Sequence, residues 1–236
     1  MSITDSPNRD VWVVVRCFNE AAVVGDVIRE LREQFPNIVG VDDGSTDGSS
    51  DVMRLAGAHV VRHAVNVGAG AALQTGLQYA LLDQGANLFV CFDADGQHSV
   101  ADAMAMVERM GSDDLDILIG SRFMGAAAVG MSSHRRVLLR MARSFERVTS
   151  GARLTDAHNG LRVFTRRFAS QVNLTMSDMA YASELVGLIT RSGLNYAEHP
   201  VQITYTEYSL RKGQRSINSV NIAMDVLLNQ MLRGTR

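Results

Sequence analysis

Short apolar runs rich in β-branched residues alternate with segments of helical periodicity in the first half of the chain, and this alternation limits the possible folds. The runs predict strands at Val11–Val15, Ile38–Val41, Ala58–Arg62, Leu88–Phe92 and Ile117–Gly120. Apolar residues at helical spacing predict helices at Glu20–Phe35, Ser50–Ala56, Gly70–Leu82 and Val100–Met110. Such an alternation with short connections predicts an α/β fold, a mostly parallel sheet flanked by helices.

Polar loops follow three of the predicted strands, at residues 16–20, 42–48 and 93–98. The carboxyl ends of parallel strands meet at one edge of a sheet, and ligands of such sheets bind in the crevice outside that edge. We therefore expect these three loops to converge on one binding site.

Composition and charge exclude several classes of protein. The formal net charge of −2 and an aromatic content of 6% do not indicate nucleic-acid binding. Two cysteines, Cys17 and Cys91, are too few for a disulfide framework and indicate buried thiols of a cytoplasmic protein. The first residues lack the apolar core of a signal peptide, and no apolar stretch approaches the ~20 residues that span a bilayer. Any action at a membrane is expected from its surface or through a partner.

The fourth predicted strand ends in the acidic stretch "CFDADGQH". An Asp-x-Asp at a strand end can bind a divalent cation that carries phosphates, cap the next helix, or act as the acid of a phosphoryl-transfer site. Mg²⁺ prefers oxygen ligands and is commonly coordinated by one or two carboxylates together with substrate phosphates. Asp93 and Asp95 are the candidate carboxylates, and Gln97 offers a further neutral oxygen.

Two further loops carry candidate ligand contacts. Asp43, in "VDDGSTDGS", can accept from a nucleobase N–H or from ribose hydroxyls, or its loop can simply satisfy backbone donors and cap the next helix. In "NVGAGAALQTG", Gly70 opens a helix whose N-terminus can face phosphate, although close helix–strand packing explains the glycine equally well. The Lys-Ser/Thr of a Walker A motif is missing, which disfavours a nucleotide hydrolase.

The region 134–167 is strongly basic, with nine arginines against Glu146 and Asp156. On a helical projection, an apolar stripe that includes Leu138 and Phe145 lies nearly opposite a stripe of arginines that includes Arg136. Such a helix can lie on an anionic bilayer or present cations to a phosphate, or it can be a surface helix packed on the core.

Five segments in this order, "CFNE", "VDDGSTDGS", "NVGAGAALQTG", "FDADGQH" and "DAHNGLRVF", resemble the family-2 glycosyltransferases, in the branch that makes dolichyl- and polyprenyl-phosphate sugars. The resemblance covers about residues 11–205. It implies a GT-A catalytic domain at 1–205, with a donor half at 11–122 and an acceptor half at 123–205. Residues 206–236 are then a C-terminal loop and an amphipathic helix.

The resemblance also implies roles for particular residues. Arg16 stands where the family usually has proline, and Phe18 and Glu20 match residues that frame the nucleobase and ribose. The other implied donor contacts are Val41 and Asp43 for the base, Gly70 near the phosphates, and Asp93, Ala94, Asp95 and Gln97 for the cation and diphosphate. On the acceptor side, Arg122 matches an arginine that meets the diphosphate or the acceptor phosphate, and Asp156, Gly160 and Arg162 are fixed points of the acceptor segment.

The implied reaction is inverting, metal-dependent transfer of a sugar from a nucleoside diphosphate, UDP, to polyprenyl phosphate in cell-envelope polysaccharide synthesis, with Mg²⁺ or Mn²⁺ as cofactor. An anionic lipid phosphate needs arginines, of which Arg135 and Arg136 are candidates, rather than a strong base. A saccharide hydroxyl would instead need a carboxylate base, with Asp156 and Glu184 as candidates. A non-catalytic nucleotide-sugar-binding protein is a further alternative, which the presence of the acidic and arginine motif residues disfavours.

The tail resembles small bacterial members such as polyprenyl-phospho-N-acetylgalactosamine synthases, which work with a small membrane protein. This resemblance implies peripheral association with the inner face of the cell membrane. Arg211, Lys212 and Arg215 are candidate phosphate contacts on a loop over the donor, or solvated surface charges. The apolar stripe that follows leaves open whether it packs on the core, on a second copy of the chain or on the membrane partner.

Overall fold

The structure, a computed structural model, describes residues 8–124, 154–176 and 180–204. Its strands are β1 (Val11–Cys17), β2 (Asn37–Asp42), β3 (His59–Arg62), β4 (Leu88–Asp93), β5 (Ile117–Ser121), β6 (Arg162–Thr165) and β7 (Tyr196–Pro200). Its helices are α1 (Val24–Arg32), α2 (Ser49–Leu55), α3 (Ala69–Leu81), α4 (Val100–Ser112), α5 (Arg166–Ala169) and α6 (Ala180–Ser192).

The described strands form one seven-stranded sheet in the order β3-β2-β1-β4-β6-β5-β7. Neighbours pair in parallel, except that β6 is antiparallel to both β4 and β5. The predicted α/β fold with a mostly parallel sheet flanked by helices is therefore confirmed. Strand β6, a four-residue strand that begins with an arginine, was not predicted from the sequence, and neither was β7.

The sheet is covered on both faces. Strand β1 lies inside the sheet between β2 and β4, and six of its seven residues are buried, as the run of valines predicts for a strand covered on both sides. One core cluster joins the sheet to α3 and α6, and the other joins it to α1, α2 and α4. Cys17 and Cys91 lie in these cores as free, buried thiols, as predicted.

Helix α1 is shorter than predicted. The periodicity indicated a helix from Glu20 to Phe35, whereas α1 runs from Val24 to Arg32. The chain before it is tied to the loop after β2, because the backbone N–H of Glu20 donates to Ser49 Oγ and that of Ala21 donates to an Asp47 carboxylate oxygen. Those tertiary contacts replace the first predicted turn of the helix.

Several predictions lie outside the described residues. They are the basic helix with Arg135 and Arg136, the C-terminal segment with Arg211, Lys212 and Arg215, and the amphipathic extension. In the described part of the chain, no helix is both long and apolar enough to cross a membrane.

Candidate active site

The loops that follow the parallel strands lie at one edge of the sheet, as predicted. β1, β2, β4 and β5 run in the same direction, so the residues after Cys17, Asp42, Asp93 and Ser121 share that edge. Strand β6 runs in the opposite direction, so the segment before its first residue, Arg162, lies there as well. The acidic stretch, the loop of Asp43, Arg122 and the acceptor segment are thus brought to one edge.

Asp93 is bound by two side chains of this edge. Arg16 Nη2 donates to Asp93 Oδ1, and His98 Nε2 lies 3.2 Å from Asp93 Oδ2. The pairing follows from sheet register, since Arg16 on β1 lies directly beside Asp93 on β4. Burial opposes ionisation of this carboxyl group, but the adjacent Arg16 and His98 hold the pKa of Asp93 well below its usual range.

Asp95 has a different environment. Its Oδ1 accepts the backbone N–H of Gln97 at 3.1 Å, and no ion pair to Asp95 is found among the described residues. Burial, together with the neighbouring negative charge of Asp93, raises the pKa of Asp95 to about 6. A bound cation would relieve both effects.

The donor set at this strand end fits a divalent cation. Asp95 supplies a carboxylate and Gln97 an amide oxygen on the same turn, which is the kind of oxygen set that Mg²⁺ and Mn²⁺ accept alongside substrate phosphates. Ala94 between the two acids is buried and contributes only its backbone to the edge. Within residues 8–124, 154–176 and 180–204, no group of three or more His, Cys, Asp or Glu residues is arranged to hold a metal ion.

The Asp43 carboxylate organises the glycine-rich loop. Its Oδ1 accepts the N–H of Val67 at 2.9 Å, its Oδ2 accepts the N–H of Gly68 at 2.7 Å, and His63 Nδ1 lies 2.7 Å from Oδ1. Asp43 is buried, at 3% exposure. The structure therefore supports the alternative in which this loop satisfies backbone donors, and a role for Asp43 in base recognition stays a prediction.

The other predicted donor contacts differ in their accessibility. Phe18 is exposed at the edge and Glu20 is buried. Val41 is fully buried in the core, so its side chain does not face the edge. Gly70 is a packing position, because a Cβ atom there would lie 2.6 Å from Tyr181 Cβ and 2.7 Å from the Met176 carbonyl oxygen. Its glycine is explained by close contact rather than by a ligand.

Arg122 and Asp156 form a buried, two-pronged ion pair. Arg122 Nε and Nη2 each donate to a different carboxylate oxygen of Asp156 at 2.6 Å, and the Arg122 backbone N–H donates to the same carboxylate at 3.0 Å. Their side chains are 9% and 2% exposed. Asp156 therefore orients Arg122, and a role for Asp156 as a base stays a prediction.

Glu198 on β7 supports this pair and was not found from the sequence. Its Oε1 accepts the backbone N–H groups of Thr155 and Asp156 at 2.7 and 2.9 Å. Burial and the nearby negative charge of Asp156 raise the pKa of Glu198, although the hydrogen bonds to its carboxylate oppose the shift. Nothing in the local sequence "YAEHP" signals this contact, because it joins residues more than forty positions apart.

The Glu184 carboxylate is also hydrogen-bonded within the protein. Its carboxylate accepts the Met176 N–H at 2.9 Å, and it accepts both the N–H and the hydroxyl of Thr175. Burial opposes ionisation, yet these donors hold the pKa of Glu184 below its usual value. Glu184 therefore holds the backbone of residues 175–176, and a role for it as a base stays a prediction.

Arg162 is fully buried beneath the edge. Its Nη2 donates to the Ala157 carbonyl at 2.9 Å, and its guanidinium carbon lies 6.0 Å from the ring centroid of Tyr181. Gly160, two residues earlier, lies against Asp93, since a Cβ there would be 1.9 Å from Asp93 Oδ2. The acceptor segment and the acidic stretch therefore pack directly on each other.

Comparison with known proteins agrees with this geometry. The chain matches glycosyl transferase family 2 over residues 12–172, more than half of its length, and it belongs to that family. It is a glycosyltransferase with the GT-A fold, as the sequence motifs indicated.

Two relatives match nearly the whole chain. A UDP-N-acetylglucosamine–dolichyl-phosphate N-acetylglucosaminyltransferase of Methanococcus voltae is 26% identical over 242 residues, covering 94% of this chain and 96% of the relative. A polyprenol monophosphomannose synthase of Mycolicibacterium smegmatis is 26% identical over 243 residues, covering 98% and 90%. Among solved structures, glucosyl-3-phosphoglycerate synthase of Mycobacterium tuberculosis with Mn²⁺ and UDP-glucose superposes with a TM-score of 0.63. Its identity is 19%, over 84% of this chain and 72% of that one.

Proposed function

We propose that the protein transfers a sugar, with inversion, from a nucleoside diphosphate, UDP, to polyprenyl phosphate, with a divalent cation as cofactor. The observation that carries the acceptor assignment is the engagement of both candidate bases. Asp156 accepts two hydrogen bonds from the Arg122 side chain and one from its backbone, and Glu184 holds the backbone of residues 175–176. A hydroxyl acceptor needs a general base in reach. A phosphate monoester, with a second pKa of roughly 6, is already anionic at neutral pH.

The relatives support the same choice. One is named for transfer from a UDP-sugar to dolichyl phosphate, and the other for a polyprenol monophosphate product. The two names also differ in the sugar, so the proposal does not extend to the identity of the hexose.

On the donor side, Asp95 and Gln97 would hold the cation at the end of β4. When bound, a divalent cation neutralises the charge that develops on the departing diphosphate. Phe18 is exposed at the edge where the nucleoside is expected, and Glu20 and Asp43, which are buried, are the other proposed nucleoside contacts. Gly70 packs against Tyr181 at the start of α3. Arg211 and Lys212, outside the described residues, would contact the donor phosphates.

On the acceptor side, a phosphate oxygen forms the new bond to the anomeric carbon. The bond from that carbon to the donor phosphate breaks, and its electron pair leaves with the nucleoside diphosphate. Arg122, fixed by Asp156, would place its positive charge beside the phosphate at the moment of transfer. Arg135 and Arg136 complete the proposed phosphate contacts. No proton has to be removed from the acceptor in this scheme.

The acceptor also defines where the protein works. Polyprenyl phosphate resides in the membrane, so the proposal includes peripheral association with the inner face of the cell membrane. The arginine-rich region 134–147 can interact with an anionic bilayer surface, and a small membrane protein is a further proposed partner.

The proposal is tested by transfer of label from radiolabelled UDP-sugars to added polyprenyl phosphate, with Mn²⁺ or Mg²⁺ present. The wild type should give a lipid-extractable product. Asp95→Asn should abolish that product while leaving the unfolding temperature close to that of wild type, because Asp95 has no ion pair in the described part of the chain. Retention of transfer by the Asp95 variant would contradict the assigned cation site.

A further inference from the structure

Arg16 is a buried, charged residue at the edge that carries the site. Its side chain is 9% exposed at the end of β1, where a charge is costly to bury. Nη2 donates to Asp93 and Nη1 donates to the Tyr181 hydroxyl, while the guanidinium carbon lies 5.3 Å from the centroid of the Tyr181 ring. Arg16 thus links the acidic stretch to helix α6.

Both carboxylate oxygens of Asp93 are occupied by protein partners. Arg16 binds Oδ1, and His98 Nε2 lies 3.2 Å from Oδ2. On the side of Oδ2, the backbone of Gly160 comes so close that no side chain fits there. Asp93 retains 31% side-chain exposure, but it has no oxygen without a partner.

Asp95 contrasts with Asp93 in the same stretch. Its Oδ1 accepts the N–H of Gln97, a neutral donor, and no residue in the described part of the chain forms an ion pair with it. A metal ion that also bound Asp93 would have to displace Arg16 or sit beside its guanidinium. Two positive charges in such close proximity repel each other, and the repulsion is stronger where water is excluded.

We propose that Arg16 is a positioning residue that withholds Asp93 from the divalent cation and leaves Asp95 as the carboxylate that binds it. The inference rests on the proposed function, since it assigns the cation site of that reaction. The two acids of the Asp-x-Asp motif then have different roles. Asp93 is an internal counter-ion that ties β1, β4 and α6 together, and Asp95 faces the ligand.

The test is a titration of the full-length protein with Mn²⁺ in the absence of any donor sugar. Electron paramagnetic resonance measures the concentration of free Mn²⁺ at each point. Asp95→Asn should weaken binding at least about tenfold, whereas Asp93→Asn should change it less than about threefold. Arg16→Met should tighten binding about tenfold, because it removes a positive charge and releases Asp93. The surface pair Arg29–Asp26 is the matched control, and its double replacement by Met and Asn should leave Mn²⁺ affinity unchanged.

Single replacements break a buried ion pair and can unfold the protein. The double variant Arg16→Met/Asp93→Asn removes both charges together, and it should bind Mn²⁺ within about threefold of wild type, since Asp95 is intact. Equal losses in the Asp93 and Asp95 variants, no Mn²⁺ binding by the wild type, or weak binding by the double variant would each overturn the inference. Lipid transfer by the same wild-type preparation is scored separately, so a failure of the proposed reaction is distinguished from a failure of this cation assignment.

Discussion

At the scale of single residues, two aspartates separated by one alanine have opposite properties. Asp93 has its charge stabilised by Arg16 and His98, and Asp95 has its charge opposed by burial and by Asp93. Sequence spacing alone treats the two acids alike. The difference comes from strand register, which sets Arg16 beside the first acid and leaves the second beyond the end of the strand.

Gly160→Ala tests the close packing beneath the first acid. The added methyl group would lie 1.9 Å from Asp93 Oδ2, so Asp93 or the acceptor segment must move. We expect a loss of unfolding free energy of about 1–3 kcal/mol and a large loss of transfer. Urea denaturation and the lipid-transfer assay measure these two effects.

Gly111→Ala is the control for that substitution. Gly111 lies in α4, and beyond the backbone of its own helix no described atom lies within 4 Å of the place that an added methyl group would take. Alanine there should be neutral or stabilise by up to about 1 kcal/mol. If the two alanine variants behaved alike, the packing of Gly160 on Asp93 would be wrong.

At the scale of elements, β7 supports β5 through a chain of contacts. Glu198 on β7 holds the backbone of Thr155 and Asp156, and Asp156 holds Arg122, which follows β5. Each link is a hydrogen bond to a buried or half-buried group, so a change at Glu198 should reach Arg122 without direct contact.

Glu198→Ala should lower the transfer rate by about tenfold to a hundredfold, because it leaves two N–H groups unpaired and lets Arg122 shift. Glu198→Gln should keep most of the rate, since the amide oxygen can still accept both bonds. Steady-state kinetics of the two variants decide the point. Equal rates for the alanine and glutamine variants would contradict a positioning role.

The substitution Asp156→Asn distinguishes two roles of Asp156, positioning of Arg122 and general-base catalysis. As an anchor of Arg122, Asp156 affects the height of the pH–rate profile of lipid transfer but not its shape. As a general base, it would contribute an acid limb that the asparagine variant loses. We expect a lower rate at every pH with the acid limb unchanged, and disappearance of that limb would favour a hydroxyl acceptor.

The contribution of Glu184 to the free energy of unfolding should depend on pH in the acidic range. Its pKa is lower in the folded protein than the unfolded value of about 4.3, so its contribution is present above that pH and is lost as pH falls through the folded pKa. Glu184→Gln should therefore show a shallower acid loss of unfolding temperature while keeping lipid transfer at neutral pH. Loss of transfer in this variant, with unfolding at neutral pH unchanged, would restore Glu184 as a base.

At the scale of the whole molecule, the sequence predicted the sheet edge well because local periodicity determines it. The runs of valine and isoleucine, and the polar loops after them, identified β1 to β5 and the convergence of their loops. The antiparallel β6 was missed because four residues starting with a buried arginine have no strand pattern.

The hydrogen bonds and ion pairs of the site residues could not be predicted from the sequence for a different reason. The partners of Asp93, Asp156 and Glu184 come from other elements, and each contact depends on register or on loop packing. Motif matching found the acids that matter at this edge. It could not show that three of them are already neutralised or hydrogen-bonded by the protein.

Whether the acceptor is a lipid phosphate or a saccharide hydroxyl is decided by an acceptor competition. The wild-type protein receives one radiolabelled UDP-sugar, Mn²⁺ and equal concentrations of polyprenyl phosphate and a saccharide acceptor, and the products are separated by solvent extraction and identified by mass spectrometry. We expect a polyprenyl-phosphate sugar as the labelled product, whereas label in the saccharide with none in the lipid would show that the acceptor is a hydroxyl.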